Sequence, residues 1–414
     1  MGPRSRRGGR DTEIFSKNAS QLAHLVRVVS RKGSEDDHFW NQVTRRLIYI
    51  IDTISTKQLS YIANGLAKAR VADPETWNSI VKRHYQLQKE YDVKDMVLMA
   101  NALAKVKCVE HEVFQNIVHR IKDAGTTVPP RYIAVLVNSM AVAGYRDTTL
   151  VDSLLEQLNL EASQMSVVSI AILLDGLYNL RHRNRKVLAC LAERLKNVLT
   201  HPKGEGVSRH NEAHIAATNS SDVSYRIRTH EYMSEVQNTS DKAMFEQDTD
   251  TTASHVSQNK ATQEDDGSVT STRISTQQLV LIHRAYSQFA FYDKKLFDLL
   301  FRQMEILRNK LKPLEIVMIA NSMGKSKLHN KSIIELLCKK VIANKSGYTM
   351  DMITVFLHGI CLPRDNNRGM RLQWKIWKHA EFFTQMFEAV IQNAFDGDIN
   401  AKHCLTMLQI MTKV

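Results

Sequence analysis

The sequence predicts an all-α fold: a right-handed α-solenoid of about eight 37-residue helix-turn-helix repeats, interrupted by a disordered insert. Three observations carry that prediction. One motif returns at a single spacing, a second column of helix-capping residues shares its register, and one polar stretch restores the register when removed.

The motif is clearest in Leu59-Ser-Tyr-Ile-Ala-Asn64-Gly-Leu-Ala-Lys68. Steps of 37 residues from Asn64 reach Asn101, Asn138 and Asp175, and one step back reaches Arg27. The series resumes at Arg284, Asn321 and His358. The columns around this polar position are apolar: one reads Leu22, Leu59, Met96, Ile133, Ile170, Leu279, Ile316, Ile353. A helix apolar on every side is buried on every side, so this first helix of each repeat, helix A, is expected between its neighbours and helix B. The column after the polar position is small (Gly65, Ala102, Ser139, Gly176, Ala285, Ser322, Gly359), which predicts close backbone approach.

Helix B is announced by Asp36, Asp73, Glu110, Asp147, Asn184, Asp293, Asn330 and Asn367, nearly all residues whose short side chains cap helix N-termini. Pro74 follows Asp73 at the favoured first helical position. An apolar anchor comes three residues after the cap, as at Phe39, Val113, Leu150, Val187, Leu296 and Ile333.

Between Asp175 and Arg284 lie 109 residues where 37 are expected, so 72 are inserted, and residues 201–272 fit that length. Their Ser, Thr, Asn, Asp and Gln bias buries too little apolar area to offset chain entropy, which predicts disorder. The predicted organisation is a basic arm over 1–18, repeats 1–5 over 19–200, the insert over 201–272, and repeats 6–8 with an uncovered partial repeat over 273–414. The last helix, from Ala401 to Val414, has no helix B after it, so either the chain is truncated or another surface covers it.

Fifty-six Lys and Arg against 43 Asp and Glu give a net charge of +13. Residues 201–275 carry −5 of this, so the remainder carries +18, a balance that suits a polyanion. The five cysteines form no CxxC pair and read as core residues of a reducing compartment. No apolar run approaches the ~20 residues that span a bilayer, so no membrane partner is expected. The start, Met1-Gly-Pro-Arg-Ser-Arg-Arg-Gly-Gly-Arg10, fits an organellar targeting fragment or a phosphate-binding arm.

No phosphate loop, metal-spaced cluster or nucleophile motif appears, so no catalytic residue, cofactor, metal or small-molecule substrate is predicted. Three constellations remain. The first is the polar column Arg27, Asn64, Asn101, Asn138, Asp175, Arg284, Asn321, His358, which is either a structural ladder between repeats or a row that reads successive bases. The second is a basic ridge late in helix B: Arg45, Arg46, Lys82, Arg83, Arg120, Arg194, Arg302, Lys339 and Lys340. It serves either phosphate contact or the helix macrodipole, and Lys68, Arg70, Lys105, Lys107, Lys325 and Lys327 accompany it. The third, Arg368, Arg371, Trp374, Lys375, Trp377 and Lys378, suits base stacking or core packing.

The two-helix period with its Ile-Ala-Asn-x-Leu-Ala-Lys core, at 62–68, 99–105 and 319–325, resembles the heptatricopeptide repeats of organellar RNA-binding proteins. It is similar also to the helical region of FAST-kinase/RAP-domain proteins and to the RNA-editing substrate-binding complex subunit 6 family. The resemblance covers residues 20–200 and 273–414 and finds no RAP domain. It implies a non-catalytic single-stranded RNA binder in the mitochondrial matrix, acting in RNA stability, processing or ribosome assembly, with other ribonucleoprotein subunits as partners. The competing expectation is a protein-interaction scaffold of the armadillo or HEAT type.

Overall fold

The computed structural model describes residues 14–200 and 274–361, except 33–36, 107–110, 124, 126, 327–329 and 345–346, together with Glu388 and His403. The predicted insert, the basic arm up to residue 13 and the Trp-containing constellation lie outside the described residues.

Fifteen helices and no strand occur among the described residues. The A helices are α1 (Ala19–Lys32), α3 (Thr56–Lys68), α5 (Val93–Lys105), α7 (Pro130–Val142), α9 (Val167–Leu180), α11 (Thr276–Gln288), α13 (Pro313–Lys325) and α15 (Met350–Cys361). Alternating with them are the B helices α2 (Asp37–Ile50), α4 (Pro74–Gln86), α6 (His111–Asp123), α8 (Thr148–Glu161), α10 (Arg185–Thr200), α12 (Lys294–Ile306) and α14 (Lys331–Ala343).

The B-helix caps act as their chemistry requires. Asp73 accepts from the Thr76 N–H at 2.9 Å, Asp147 from Leu150 at 2.9 Å, and Asp293 from Leu296 at 3.0 Å. Asn184 and Asn330 do the same at 3.2 Å, whereas Asp36, Glu110 and Asn367 lie outside the described residues. The A helices have a capping column of their own. Asn18 and Gln21 cap each other reciprocally at 3.0 Å, the Gln58 amide accepts from the Ser55 N–H at 3.0 Å, and Asp92 accepts from Asp95 at 2.7 Å.

Four A helices end alike. Arg70, Gly144, Arg181 and Ala290 stand at one register position with φ of 61°, 68°, 57° and 50°. After each, an N–H returns to a carbonyl five residues back, as from Val71 to Leu66 at 3.0 Å and from Phe291 to Tyr286 at 3.1 Å. This left-handed closure turns the chain from helix A into helix B.

A helices pack directly on the A helices of adjacent repeats, α3 on α5, α7 on α9 and α13 on α15, while successive B helices meet over much shorter stretches. The small column permits this. A Cβ on Gly176 would lie 2.9 Å from Asn138 Cα, and one on Gly359 would lie 2.6 Å from the Ala320 carbonyl oxygen. Closer spacing in the A layer makes it the inner, concave layer of the array.

Helices on either side of residues 201–273 meet as ordinary neighbours, α9 on α11 and α10 on α12. Lys196 pairs with Asp293 at 2.8 Å, the Tyr286 hydroxyl donates to the Leu188 carbonyl at 3.0 Å, and Arg284 lies 3.8 Å over the Tyr178 ring.

Candidate nucleic-acid interface

One side of helix A is the least covered; on α5 and α7 only its ends are open, since residues 95–103 and 132–140 are buried. On α3 it runs through Lys57, Tyr61 and Lys68, with Asn64 in its middle; these residues are four, three and four apart and therefore share a face. This stripe is the inner surface, and the polar column forms its floor.

The floor is internally bonded. Asn64, Asn101, Asn138, Asp175, Arg284 and Asn321 are buried, and Arg27 and His358 half-buried. The Asn101 amide donates to Asn64 Oδ1 at 2.9 Å, and Ser139 donates to Asn101 Oδ1 at 3.3 Å. At the step from α9 to α11 the amides give way to charge: Arg284 Nη1 lies 4.0 Å from Asp175 Oδ1, both almost fully enclosed. Arg27 sits 5.7 Å from the centre of the Tyr61 ring. These contacts support the ladder reading, since an amide bonded to the next repeat satisfies a buried polar group that would otherwise cost about 1–3 kcal/mol.

The basic ridge divides in two. In each adjacent pair, one residue turns to the body of the repeat. Arg46 donates from Nε to the Lys17 carbonyl at 2.9 Å, Arg83 to Ile54 at 3.2 Å, and Arg194 to Met165 at 3.1 Å. Each acceptor immediately precedes the N-cap of helix A in the same repeat. Arg83 Nη2 adds Asp52 at 2.8 Å, Arg120 reaches the Gln88 carbonyl, and Lys340 bonds Asn309 Oδ1 at 3.3 Å. Gln157, in the same column, accepts from the Val128 N–H at 3.0 Å. These side chains tie helix B to the turn that enters helix A, by bonds that a cation strengthens.

The other members are exposed: Arg45, Lys82, His119, Glu156, Glu193, Arg302 and Lys339. Their column is basic in the first and last repeats and acidic between, so the cations form two patches rather than one continuous ridge. Sequence pairing could not show this, because neighbours on a helix point about 100° apart and only packing decides which turns inward.

Lys68, Lys105 and Lys325 lie half-buried at the C-terminal end of helix A, Arg70 is exposed at the left-handed turn, and Lys107 and Lys327 lie outside the described residues. A further row escaped the sequence reading. Lys57, Lys94 and Arg131 occupy the second position of α3, α5 and α7, at the same 37-residue step. Their signal was periodicity, three cations at one register of successive A helices. In later repeats the position holds Val168, Gln277, Leu314 and Asp351. Asp95 lies beneath Lys57 and Lys94, accepts from the Thr56 hydroxyl at 3.4 Å, and is pushed up to about 6 by burial and the neighbouring Asp92.

Two buried imidazoles stand in otherwise apolar columns. Burial, with Arg120 nearby, lowers His84 to about 4, and burial alone lowers His283 to about 3. His283 packs against Phe297 and Phe301 with ring centroids at 5.3 and 5.9 Å. Among the described residues no group of three His, Cys, Asp or Glu side chains could hold a metal ion, and no helix is long and apolar enough to cross a membrane.

No curated protein matches the chain. The sequence model of the RNA-editing substrate-binding complex 6 protein family matches residues 10–248. That span includes α1–α10 and part of the predicted insert, while α11–α15 lie beyond it and repeat the same geometry. More than half of the chain is matched, and the protein belongs to the RNA-editing substrate-binding complex 6 family.

Proposed function

We propose that this protein is a non-catalytic, single-stranded RNA-binding scaffold in a mitochondrial ribonucleoprotein of the RNA-editing type. Family membership supports the association with such a complex. The observation that carries the RNA contact is the division of the basic pairs. The fold consumes Arg46, Arg83, Arg120 and Arg194 in backbone ties, yet Arg45, Lys82, Arg302 and Lys339 stay exposed beside them. Cations that the fold does not use are available to phosphates, and the array's charge of +18 outside residues 201–275 draws a polyanion over long range. An open array of helices matches a flexible strand that can follow its face. The same column turns acidic in mid-array at Glu156 and Glu193, the latter paired with Lys196, so the RNA contact falls into the basic patches on either side and the scaffold role accompanies it.

The test is equilibrium binding of the full chain to an unstructured RNA and to a duplex of the same sequence, across salt concentrations. The single strand should bind more tightly and with a steep salt dependence. Replacing Arg45 and Lys82 by Gln should flatten the slope of log affinity against log salt by up to ~0.7 per lost contact and leave thermal stability nearly unchanged. Arg83→Gln should do the reverse, lowering stability with little change in slope. Absence of single-strand binding at low salt would remove the RNA role and leave the scaffold.

A further inference from the structure

The structure points to a specific RNA track. We propose that repeats 2–4 hold consecutive stretches of an RNA backbone on their inner face, with phosphates seated on Lys57, Lys94 and Arg131. This rests on the RNA-binding reading above and locates it on residues that neither the family match nor the helix-B pairs identify.

The three cations come from successive A helices, which pack at roughly 8–10 Å, so the row advances by that distance per repeat. Lys57 and Lys94 are exposed, and neither forms an ion pair with a described residue. Arg131 is half-buried, with its guanidinium 4.8 Å from the centre of the Tyr132 ring, which leaves its N–H edge for an anion. The nearby carboxylates have other work: Asp92 caps α5, and Asp95 takes the Thr56 hydroxyl. They lower the local positive potential without meeting the ammonium groups directly.

A cation in the first turn of a helix opposes the macrodipole and costs stability. First-turn cations also open B helices, at Lys186, Lys294 and Lys331, and Asp95 offsets Lys57 and Lys94 in part; what sets this row apart is three cations at one register of successive A helices along the inner face. Across the inner face, Lys68 and Lys105 stand at the far ends of the same helices, and Tyr61 with the Asn64–Asn101 floor lies between the two edges. A strand with its phosphates on the first row therefore has the half-buried Tyr61 ring beside it, over a floor of amides already bonded to one another. The track ends where the row becomes Val168, Gln277, Leu314 and Asp351.

The experiment uses the full chain, a fluorescently labelled oligouridylate and titrations from low to moderate salt. The triple variant Lys57→Gln, Lys94→Gln, Arg131→Gln should flatten the salt slope by about 2, or ~0.7 for each of three contacts, and weaken binding at least tenfold near physiological salt. Its melting temperature should be unchanged or slightly raised, because unfavourable first-turn cations are gone. The matched control, Lys186→Gln, Lys294→Gln, Lys331→Gln, removes the same charge from exposed first turns of B helices and should keep the wild-type slope. If the wild-type chain binds and the inner-face variant keeps its slope, the track is wrong while the RNA function stands. Equal losses in the two variants would reduce the row to net charge and overturn it. Failure of the wild-type chain itself to bind would sink the RNA function and the track with it. Loss of a co-purifying protein with RNA binding intact would assign the row to an acidic protein partner and overturn the proposal.

Discussion

Repeats 2–4 and repeats 6–8 are built alike and finished differently. Both halves open helix A with a reciprocal box, Ser55 with Gln58 and Ser275 with Gln278, each at 3.0 Å. Each half also ties a threonine to an acid of the next repeat, Thr56 to Asp95 at 3.4 Å and Thr276 to Glu315 at 2.9 Å. Each buries asparagine at the spine position, Asn64 in one and Asn321 in the other. Yet the inner row that reads Lys57, Lys94, Arg131 in the first half reads Gln277, Leu314, Asp351 in the second. Positions satisfied inside the fold repeat because the fold needs them. The row is finished to different ends: Lys57 and Lys94 stand exposed, whereas Asp351 pairs with His403 at 2.8 Å.

If the spine is common scaffold, its steps should differ in cost only by their chemistry. Arg284→Met leaves the Asp175 carboxylate buried without its charge partner and should cost about 3–5 kcal/mol. Asn101→Ala, at an amide step, should cost about 1–3 kcal/mol. Urea unfolding of the two variants measures this, and equal costs would mean that the step between α9 and α11 is not ionic in effect.

Repeats 2 and 6 each hold a buried imidazole in an apolar column, which allows a comparison by pH. His84 and His283 have folded values of about 4 and about 3, below the 6.5 of an unfolded histidine. The unfolded chain therefore takes up protons below about pH 6.5 that the folded chain refuses, so stability is full above that pH and falls from pH 6.5 down to 4 for His84 and 3 for His283. Asp95 acts in the opposite sense: its folded value of about 6 exceeds 3.8, so stability falls as pH rises from 3.8 to 6 and stays at the lower level above that. His84→Leu matches Leu47, Leu158 and Leu195 in its column. It should remove on the order of 3 kcal/mol of acid sensitivity between pH 7 and 4, read as a smaller drop in melting temperature across that range. An unchanged drop would show that His84 is protonated in the folded state.

The smallest effect is at the left-handed turns. Arg70, Arg181 and Ala290 carry a Cβ where Gly144 has none, at φ of 61°, 57° and 50°. Glycine at any of the three should add about 0.5–1 kcal/mol, since the strain removed slightly exceeds the entropy lost. The gain should be similar in both halves, and denaturant midpoints would show it.

The repeat period, helix pairing and B-helix caps were legible because each rests on local chemistry written at fixed spacing. Asp73, Asp147 and Asp293 cap by reaching three residues ahead, which a sequence displays directly. The small column announced the close approach at Gly176 and Gly359 for the same reason. The roles of Arg45 and Arg46 were not legible, because they are set by a turn 29 residues away from Arg46. Nor was the turn at Arg70, where a residue that disfavours positive φ adopts it under the pull of two backbone bonds. Lys57, Lys94 and Arg131 were visible in register, but their meaning depended on knowing which stripe of helix A stays uncovered.

The meeting of α9 with α11 bears on how the array forms. Successive repeats of a solenoid find each other quickly because they are close along the chain. Here the partners at the polar position are 109 residues apart, where other steps separate them by 37. By loop-closure entropy that longer path costs roughly 1 kcal/mol more than an ordinary step. The first five repeats and the last three are therefore expected to nucleate separately and zip together last at this junction. The Arg284–Asp175–Tyr178 contact, the Lys196–Asp293 pair and the Tyr286 hydroxyl bond all lie at that seam, where closure is slowest and a mismatched docking would be hardest to undo.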